Sequence, residues 1–237
     1  MTFSILGRDP KTGELGISIA TYSLAVGATC PRILSGIGVV TSQASTNPAI
    51  AEEIMELIED GIEPLESFMQ ALANDDHPEF RQVALLLPEG DALVHSGKNI
   101  KSSSGNINGE NCTAVGNFLD NDDVLKKMAA EFENPRNIED ANPSIADRLI
   151  CALEAGKKAG GQSGSNGAHL PERSACLMIG SPGENFPIDV RVDASENAIA
   201  DLRSAYDAYM PMHEFYLKRA EDPTDLPSQD DWVNSSH

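Results

Sequence analysis

Residues 2–7 (TFSILG) and residues 14–22 (ELGISIATY) are two extended runs separated by Asp9-Pro10-Lys11-Thr12-Gly13. Asp-Pro and a closing Gly are typical of a tight turn, so the three segments together predict a β-hairpin. In the second run, three apolar side chains fall on one face and small or polar side chains on the other. The fold is therefore expected to begin with two antiparallel strands, the first of which starts at Thr2.

Further strands and helices are predicted to follow in alternating blocks. Short apolar runs bounded by turn residues predict strands, and apolar residues at helical spacing predict helices. Residues 98–110 and 160–171 are rich in Ser, Asn and Gly and are predicted to be loops. The predicted strands are residues 24–28, 36–42, 82–87, 92–96, 112–117, 174–179 and 188–192, and the predicted helices begin at Pro48 and Pro64 or cover residues 122–133, 143–159 and 197–209.

This order of elements indicates the fold class. Hairpin-linked strands separated by pairs of helices favour antiparallel sheets with helices packed outside them, and not βαβ units. We therefore expect an α+β protein with a four-layer αββα sandwich, in which two mainly antiparallel sheets are flanked by helix pairs. A single domain is expected over residues 1–220, followed by an acidic, loosely ordered tail at residues 221–237 that contains Asp-Pro and Leu-Pro.

Composition excludes several classes of partner. The 237 residues include 37 acidic and 17 basic side chains, which gives a formal charge of −20, and such a surface repels nucleic acid and anionic membranes. The sequence has no apolar run near the roughly 18–20 residues of a membrane span and no signal-peptide pattern, so a cytoplasmic location is expected. The four Cys and five His residues show no metal-ligand spacing, so neither a metal nor a cofactor is expected. A homodimer is expected on general grounds.

Thr2 carries the most specific chemical hypothesis. An initiator Met is removed in front of small residues, and loss of Met1 would leave Thr2 with both a hydroxyl and a free α-amine. An α-amine titrates near about 8, so one residue would supply a nucleophile and its base near neutral pH. The alternative is that Met1-Thr2 is an ordinary start to a chain that does no chemistry there.

Several motifs distributed along the chain are those of one protein family. They are Thr2-Phe3-Ser4-Ile5, Asp9-Pro10-Lys11-Thr12-Gly13-Glu14-Leu15-Gly16, Ser23-Leu24-Ala25-Val26-Gly27-Ala28, Gln43 with Thr46-Asn47-Pro48, Ala114-Val115-Gly116-Asn117, Ala159-Gly160-Gly161 and Asp189-Val190-Arg191-Val192-Asp193. With these motifs the chain resembles the domain of unknown function 1028 family over nearly its whole length, to about residue 210. That family in turn is similar to the N-terminal-nucleophile (Ntn) hydrolases, which include the proteasome β subunits. The resemblance implies the four-layer sandwich with the nucleophile at the start of the first strand.

The resemblance also implies roles for individual residues. Thr2 would be the nucleophile, and Ser174 would orient its amine by its position after the Gly-rich loop. Asn117 would present its amide to the cleft, or stabilise a turn. The loop over residues 42–47, before the first long helix, would lie beside the nucleophile, so its backbone amides and the hydroxyls of Ser45 and Thr46 are candidates for stabilising the oxyanion and positioning the substrate. Gln43 and Asn47 are further substrate-binding candidates, although Asn47 or Thr46 would equally serve as an N-cap.

Two positions depart from the Ntn pattern. Gln162 stands where relatives often have Asp after Gly-Gly, and a Gln side chain supplies no carboxylate. No Lys falls in the stretch that corresponds to the proteasome lysine, where the nearest cation is Arg32. Arg32 is therefore a candidate substrate-binding residue, or a surface residue that flanks a strand.

Three functions from different classes are compatible with these residues. The first is an amide-bond hydrolase that uses Thr2 on a small amide or peptide-like substrate. The second is a non-catalytic binding or scaffold protein that keeps the sandwich, favoured by the missing Lys and Asp. The third is a hydrolase with an internal nucleophile such as Cys30 or Ser23, for which no base-bearing motif is visible.

Overall fold

Two β-sheets stack face to face in the computed structural model, which describes residues 1–100, 103–135, 143–183 and 187–235. The strands are β1 (Thr2–Arg8), β2 (Leu15–Thr21), β3 (Pro31–Leu34), β4 (Gly38–Ala44), β5 (Arg81–Leu86), β6 (Leu93–Ser96), β7 (Ser104–Asn108), β8 (Cys112–Asn117), β9 (Gln162–Ser163), β10 (His169–Leu170), β11 (Ser174–Gly180) and β12 (Ile188–Val192). The helices are α1 (Val26–Thr29), α2 (Pro48–Glu59), α3 (Pro64–Asn74), α4 (Asp123–Glu133), α5 (Ile145–Lys158), α6 (Ala198–Glu221) and α7 (Gln229–Ser235).

Both large sheets are antiparallel. The first has the strand order β12-β11-β2-β1-β8-β7, and the second has the order β3-β4-β5-β6. The predicted hairpin β1–β2 forms the centre of the six-stranded sheet. As a result, the first strand of the chain is hydrogen-bonded on both edges.

Three apolar layers hold the sandwich together. Between the sheets, Leu6 and Ile17 pack against residues of β4 and β5. Beyond the six-stranded sheet, Phe3 packs with residues of α4, α5 and α6. Beyond the four-stranded sheet, Ile54 of α2 and Phe68 of α3 cover the outer face of β4 and β5. The predicted four-layer α+β sandwich is confirmed, with α6 as a third helix beside the pair on the larger sheet.

Local signals explain where α2 begins. Asn47 is its N-cap and accepts a hydrogen bond from the Ala49 N–H at 3.3 Å, and Pro48 occupies the first helical position. Its buried positions, Ile50 and Ile54 among them, are those of the apolar stripe in the sequence. Both the start of α2 and its buried face therefore follow from the sequence.

The structure differs from the sequence prediction in four segments. Residues 26–29 form a helical turn, α1, which follows Ala25 in the left-handed region (φ 53°), and not an extended piece. Residues 31–34, for which the sequence predicts no strand, form β3. Within residues 98–110, of which 101 and 102 lie outside the described residues, Ser104–Asn108 form the polar edge strand β7. Within residues 160–171, the two-residue strands β9 and β10 pair as a small hairpin.

The C-terminal part contains more helix than the sequence predicts. Helix α6 continues through Pro211 to Glu221, and residues 229–235 form α7 inside the segment expected to be a loosely ordered tail. Trp232 of α7 lies beside Phe215 of α6, with ring centroids 5.5 Å apart. Among the described residues, no helix is both long enough and apolar enough to cross a membrane.

Candidate active site

Four polar side chains form a row across the four central strands of the six-stranded sheet, at one end of each strand. Thr2 of β1 pairs with Thr21 of β2 on one side and with Asn117 of β8 on the other, and Thr21 pairs with Ser174 of β11. Directly opposed residues of antiparallel strands point to the same face, with Cβ atoms about 4.5–5.5 Å apart. The pairing therefore brings three predicted site residues, Thr2, Asn117 and Ser174, into one row with Thr21.

This row faces the space between the two sheets. Along β1 the side chains alternate, so that Phe3 packs under the helices while Ser4 reaches Gln43 of the other sheet. Thr2 shares the face of Ser4 and is 5% exposed. The Thr2 hydroxyl therefore lies at the end of the inter-sheet layer, almost fully buried.

Thr21 links the Thr2 hydroxyl to the residue before it. Thr21 Oγ1 donates to the Met1 carbonyl oxygen at 2.5 Å and lies 3.1 Å from Thr2 Oγ1. Since the single Thr21 hydroxyl proton is directed at Met1, the Thr2 hydroxyl is the donor in the Thr2–Thr21 contact. Thr21 Oγ1 also accepts the Ser23 N–H at 3.2 Å.

Two further donors reach the same Met1 carbonyl oxygen. Gln162, fully buried on β9, donates from Nε2 at 2.6 Å when its amide has the orientation that satisfies its neighbours. In that orientation Gln162 Oε1 accepts the Tyr22 N–H at 3.1 Å, and this N–H is also 3.4 Å from the Met1 oxygen. The Met1 carbonyl is therefore held on several sides.

The amine of Met1 is also partly buried. Burial lowers the pKa of the Met1 α-ammonium from 8.0 to about 6, and the nearby Cys30 thiol opposes this change. Burial raises the pKa of Cys30, so the thiol is not activated. Thr46 Oγ1 lies 3.5 Å from Cys30 Sγ, which brings Thr46 to the same corner of the site.

A chain of buried amides runs from the row into the second sheet. Ser4 Oγ donates to Gln43 Oε1 at 2.6 Å, and Gln43 Nε2 donates to Gln82 Oε1 at 2.9 Å. Asn117 Nδ2 donates to the same Gln82 oxygen at 2.9 Å. The Gln43 side chain is therefore used inside the protein, whereas Asn117 Oδ1 is buried and has no hydrogen-bond partner among the described residues.

Ser174 supports the chain beside the row. Its Oγ donates to the Ser23 carbonyl at 2.8 Å and accepts the Val26 N–H at 3.2 Å. These two bonds fix the segment between β2 and α1. Strand pairing therefore places Ser174 in the same row as Thr2, but the Ser174 hydroxyl forms its hydrogen bonds with the segment between β2 and α1.

Three other predicted residues lie away from Thr2. Arg32 pairs with Val40, whose side chain packs under α2 and α3, and its guanidinium bonds Glu52 of α2 at 2.5 Å. Ser45 is exposed, and its carbonyl accepts from Arg81 at 2.6 Å. Asn47 is the cap described above and also donates to Asp75 at 2.9 Å. The structure does not bring these side chains to the hydroxyl of Thr2.

A comparison with known protein families identifies the family to which this chain belongs. The family of unknown function DUF1028 matches residues 2–202. The chain belongs to this family. A crystal structure of a DUF1028 protein from Silicibacter pomeroyi is similar over 88% of this chain and 85% of that chain, with 27% identity and a TM-score of 0.76. The resemblance to the family that the motifs indicated is therefore confirmed.

Other solved structures are more distant from this DUF1028 chain. A mutant of Anbu from Hyphomicrobium sp. strain MC1 is 11% identical and covers 94% of this chain and 100% of its own, with a TM-score of 0.40. Anbu, an ancestral β-subunit, from Yersinia bercovieri is 12% identical and covers 95% and 98%, with a TM-score of 0.37. No protein of curated function matches the sequence. Membership of DUF1028 therefore specifies a fold and leaves the reaction open.

Three residues of the candidate site, Thr21, Gln82 and Glu172, are not identified from the sequence alone. Thr21 continues the inward alternation of Ile17 and Ile19, so this signal was present in the sequence. Gln82 and Glu172 had no local signal, because their positions depend on contacts between distant segments.

Glu172 is notable for its burial. It is 1% exposed, and neither carboxylate oxygen has a hydrogen-bond partner among the described residues. Lys157 of α5 forms an ion pair with it, with Nζ 3.7 Å from Oε2. A Cβ added to Gly161 (φ 61°) would come within 2.7 Å of Glu172 Oε1, so the buried carboxylate and the glycine turn before Gln162 are packed together. Within the described ranges, His, Cys, Asp and Glu form no group of three or more suited to a metal ion.

Proposed function

We propose that this DUF1028 chain is an amide-bond hydrolase of the N-terminal-nucleophile type, active after cleavage of the Met1–Thr2 bond and acting on a small amide or peptide-like substrate. The observation that carries the proposal is the environment of Thr2. Its hydroxyl lies in a row of polar side chains between the sheets, hydrogen-bonded to Thr21 at 3.1 Å. Once Met1 is removed, the free Thr2 amine would lie one residue along the chain from the former position of the Met1 amine.

Burial replaces the missing lysine in this proposal. The pKa of the Met1 ammonium is lowered to about 6 chiefly by burial. A Thr2 amine formed at the adjacent position is expected to experience similar desolvation, which disfavours its charged form. A lowered pKa increases the neutral fraction of such an amine near pH 7, so that it can accept a proton without a cation beside it.

The reaction then has two steps. Thr2 Oγ attacks the carbonyl carbon of the substrate while its proton passes to the Thr2 amine, and the amide C–N bond breaks as that proton is delivered to the leaving nitrogen. Water then attacks the ester carbonyl carbon and its proton passes to the amine. The ester C–O bond breaks as the amine returns that proton to Thr2 Oγ, so that the carboxylic acid leaves and the Thr2 hydroxyl and neutral amine are restored. Asn117 Oδ1 is a buried acceptor with no partner among the described residues, on the residue that pairs with Thr2, and in this proposal it accepts a hydrogen bond from the amine or from the substrate.

A second candidate function is a non-catalytic binding module. Its support is the low exposure of Thr2, 5% with Met1 in place, which leaves little room for a substrate beside the hydroxyl. The two functions differ in the effect of removing Met1, because only the hydrolase requires that removal to open the site.

The test compares chains with and without Met1. An N-terminal fusion cleaved directly before Thr2 gives a chain with a free threonine, and a small β-lactone serves as the acylating probe. We expect one lactone adduct on Thr2 by intact mass and peptide mapping, none in the chain that retains Met1, none in Thr2→Ala, and an adduct in Thr2→Ser. Absence of both the adduct and amide turnover in correctly cleaved protein would favour the binding module.

A further inference from the structure

The carbonyl oxygen of Met1 is bound by a cradle of three donors: Thr21 Oγ1 at 2.5 Å, Gln162 Nε2 at 2.6 Å and the Tyr22 N–H at 3.4 Å. We propose that this cradle binds the carbonyl oxygen of the substrate once Met1 has been removed, and that Gln162 is therefore a catalytic residue. The inference rests on the function proposed above. It gives Gln162 a role of its own at a position where relatives often have Asp.

The cradle is held by contacts that do not involve Met1. Gln162 forms a β-bridge with Leu119, and its neighbour Ser163 donates from its N–H to the Phe118 carbonyl at 2.8 Å. The Gly161 carbonyl accepts the Asp120 N–H at 3.1 Å. Gln162 is fully buried, so loss of Met1 is expected to leave its amide in place.

Removal of Met1 would leave a buried donor without an acceptor. The Thr21 hydroxyl and the Gln162 amide would each lose the oxygen that they bind. The Thr21 hydroxyl keeps Thr2 Oγ1 as an acceptor at 3.1 Å, whereas the buried Gln162 amide would lose the acceptor of its Nε2, and a buried donor without a partner is strongly unfavourable. The cradle thus favours an incoming oxygen at this position, such as an amide carbonyl or a product carboxylate.

The cradle is also next to the proposed nucleophile. Thr21 Oγ1 lies 2.5 Å from the Met1 oxygen and 3.1 Å from Thr2 Oγ1, so one donor of the cradle also contacts the Thr2 hydroxyl. When Thr2 Oγ bonds to a substrate carbonyl carbon, the electron pair of the C=O bond moves to its oxygen. Fixed donors around that oxygen stabilise the tetrahedral state more than the ground state.

Binding to the cradle can be measured without any reaction. We would titrate acetate into ¹⁵N-labelled chain that begins at Thr2 and into the chain that retains Met1, and follow the Tyr22 backbone amide and the Gln162 side-chain amide by NMR. We expect saturable shifts of both signals in the chain that begins at Thr2. We expect none in the chain that retains Met1, because its own carbonyl fills the cradle. Equal shifts in both chains, or in neither, would overturn the inference even if Thr2 proves to be a nucleophile.

The catalytic role is tested with methylboronic acid, which forms a tetrahedral adduct with a nucleophilic hydroxyl. In the chain that begins at Thr2, Gln162→Glu replaces the donor by an oxygen of similar shape. Asn166→Asp makes the same amide-to-acid change at an exposed position of the β9–β10 hairpin. We expect Gln162→Glu to weaken boronate binding by about 100-fold, as for loss of one oxyanion donor, and Asn166→Asp to change it less than about twofold.

The pH dependence separates donation from a merely structural role. A protonated Glu at position 162 is again a donor, so the affinity difference from wild type should shrink as the pH falls through the pKa of the introduced carboxyl. An unchanged affinity in Gln162→Glu would remove Gln162 from the mechanism while leaving Thr2 as the nucleophile. Failure of the wild-type chain to bind boronate would count against the proposed hydrolase, and the acetate titration would then decide the cradle alone.

Discussion

Thr21 Oγ1 lies between the Met1 carbonyl oxygen and the Thr2 hydroxyl, at 2.5 and 3.1 Å. Its own proton is directed at Met1, so it accepts the proton of Thr2. As long as Met1 is present, the Thr2 nitrogen is an amide and the Thr2 hydroxyl is engaged with Thr21. Removal of Met1 would convert the Thr2 nitrogen into an amine. It would also free the Thr21 hydroxyl proton from the Met1 carbonyl.

The titration of the Met1 amine gives the first prediction. Burial lowers its pKa from 8.0 to about 6 in the folded chain. Above pH 8 the amine is neutral in both states, whereas between pH 8 and 6 the unfolded chain binds the proton and the folded chain does not. The free energy of unfolding should therefore fall as the pH falls through this range. The contribution is at most about 3 kcal/mol, reduced by the partial exposure of Met1.

The midpoint is measured directly with ¹³C-labelled methionine. The Met1 Cα chemical shift should titrate near pH 6 in the folded chain that retains Met1, and near pH 8 in urea. A midpoint near pH 8 in the folded chain would show that the amine is solvated and would weaken the argument that burial supplies the base.

The buried contact between Ser4 and Gln43 gives a second prediction. Ser4→Ala removes the donor to Gln43 Oε1, and Gln43→Leu leaves the Ser4 hydroxyl without its acceptor. Each variant should lower the free energy of unfolding by about 1–3 kcal/mol, because a buried polar group loses its partner. The double variant should cost less than the sum, with a coupling of about 1–2 kcal/mol.

Urea unfolding of the two single variants and the double variant measures this coupling. Ser104→Ala on the exposed edge strand β7 is the control and should change stability by less than about 0.5 kcal/mol. Additive costs would mean that the two side chains do not share a hydrogen bond.

Some parts of this fold can be predicted from a few neighbouring residues, and others depend on contacts between distant segments. The β1–β2 hairpin and the start of α2 follow from turn residues, alternation and capping, all of which act over a few positions. Strand β7 does not, because residues 104–108 (SGNIN) form an edge strand whose one apolar side chain, Ile107, is half-buried, and the strand is kept in place by pairing with β8. The β9–β10 hairpin likewise depends on its neighbours, since each strand has only two residues.

The same distinction applies to the site. Thr2, Asn117 and Ser174 lie at ends of predicted strands, but only the order and register of β8, β1, β2 and β11 bring them into one row. Arg32 depends on the register of β3 against β4, which turns its side chain towards Glu52 of α2. The contact of Gln162 with Met1 joins residues more than 150 positions apart and has no local signal in the sequence.

The glycine turn before Gln162 gives a third prediction. Gly161→Ala forces a left-handed backbone (φ 61°) on Ala and brings its Cβ within 2.7 Å of the buried Glu172 carboxylate. Gly167→Ala has the same backbone demand (φ 74°) but no atom within 4 Å. We expect about 1 kcal/mol of destabilisation for Gly167→Ala and about 2–4 kcal/mol for Gly161→Ala. Equal losses in urea unfolding would contradict the steric contact with Glu172.

The role of Asn47 gives the last prediction. Asn47→Ala removes the acceptor for the Ala49 N–H and the donor to Asp75, so it should lower the free energy of unfolding by about 1–2 kcal/mol. Asn47→Ser keeps a capping oxygen but loses the contact with Asp75, so its loss should be smaller. If Asn47 acts as a cap, neither change alters the rate of Thr2 acylation by the β-lactone at a temperature where both variants are folded. A fall in that rate with stability unchanged would instead place Asn47 against the substrate, because a cap acts on the helix and not on the reacting atoms.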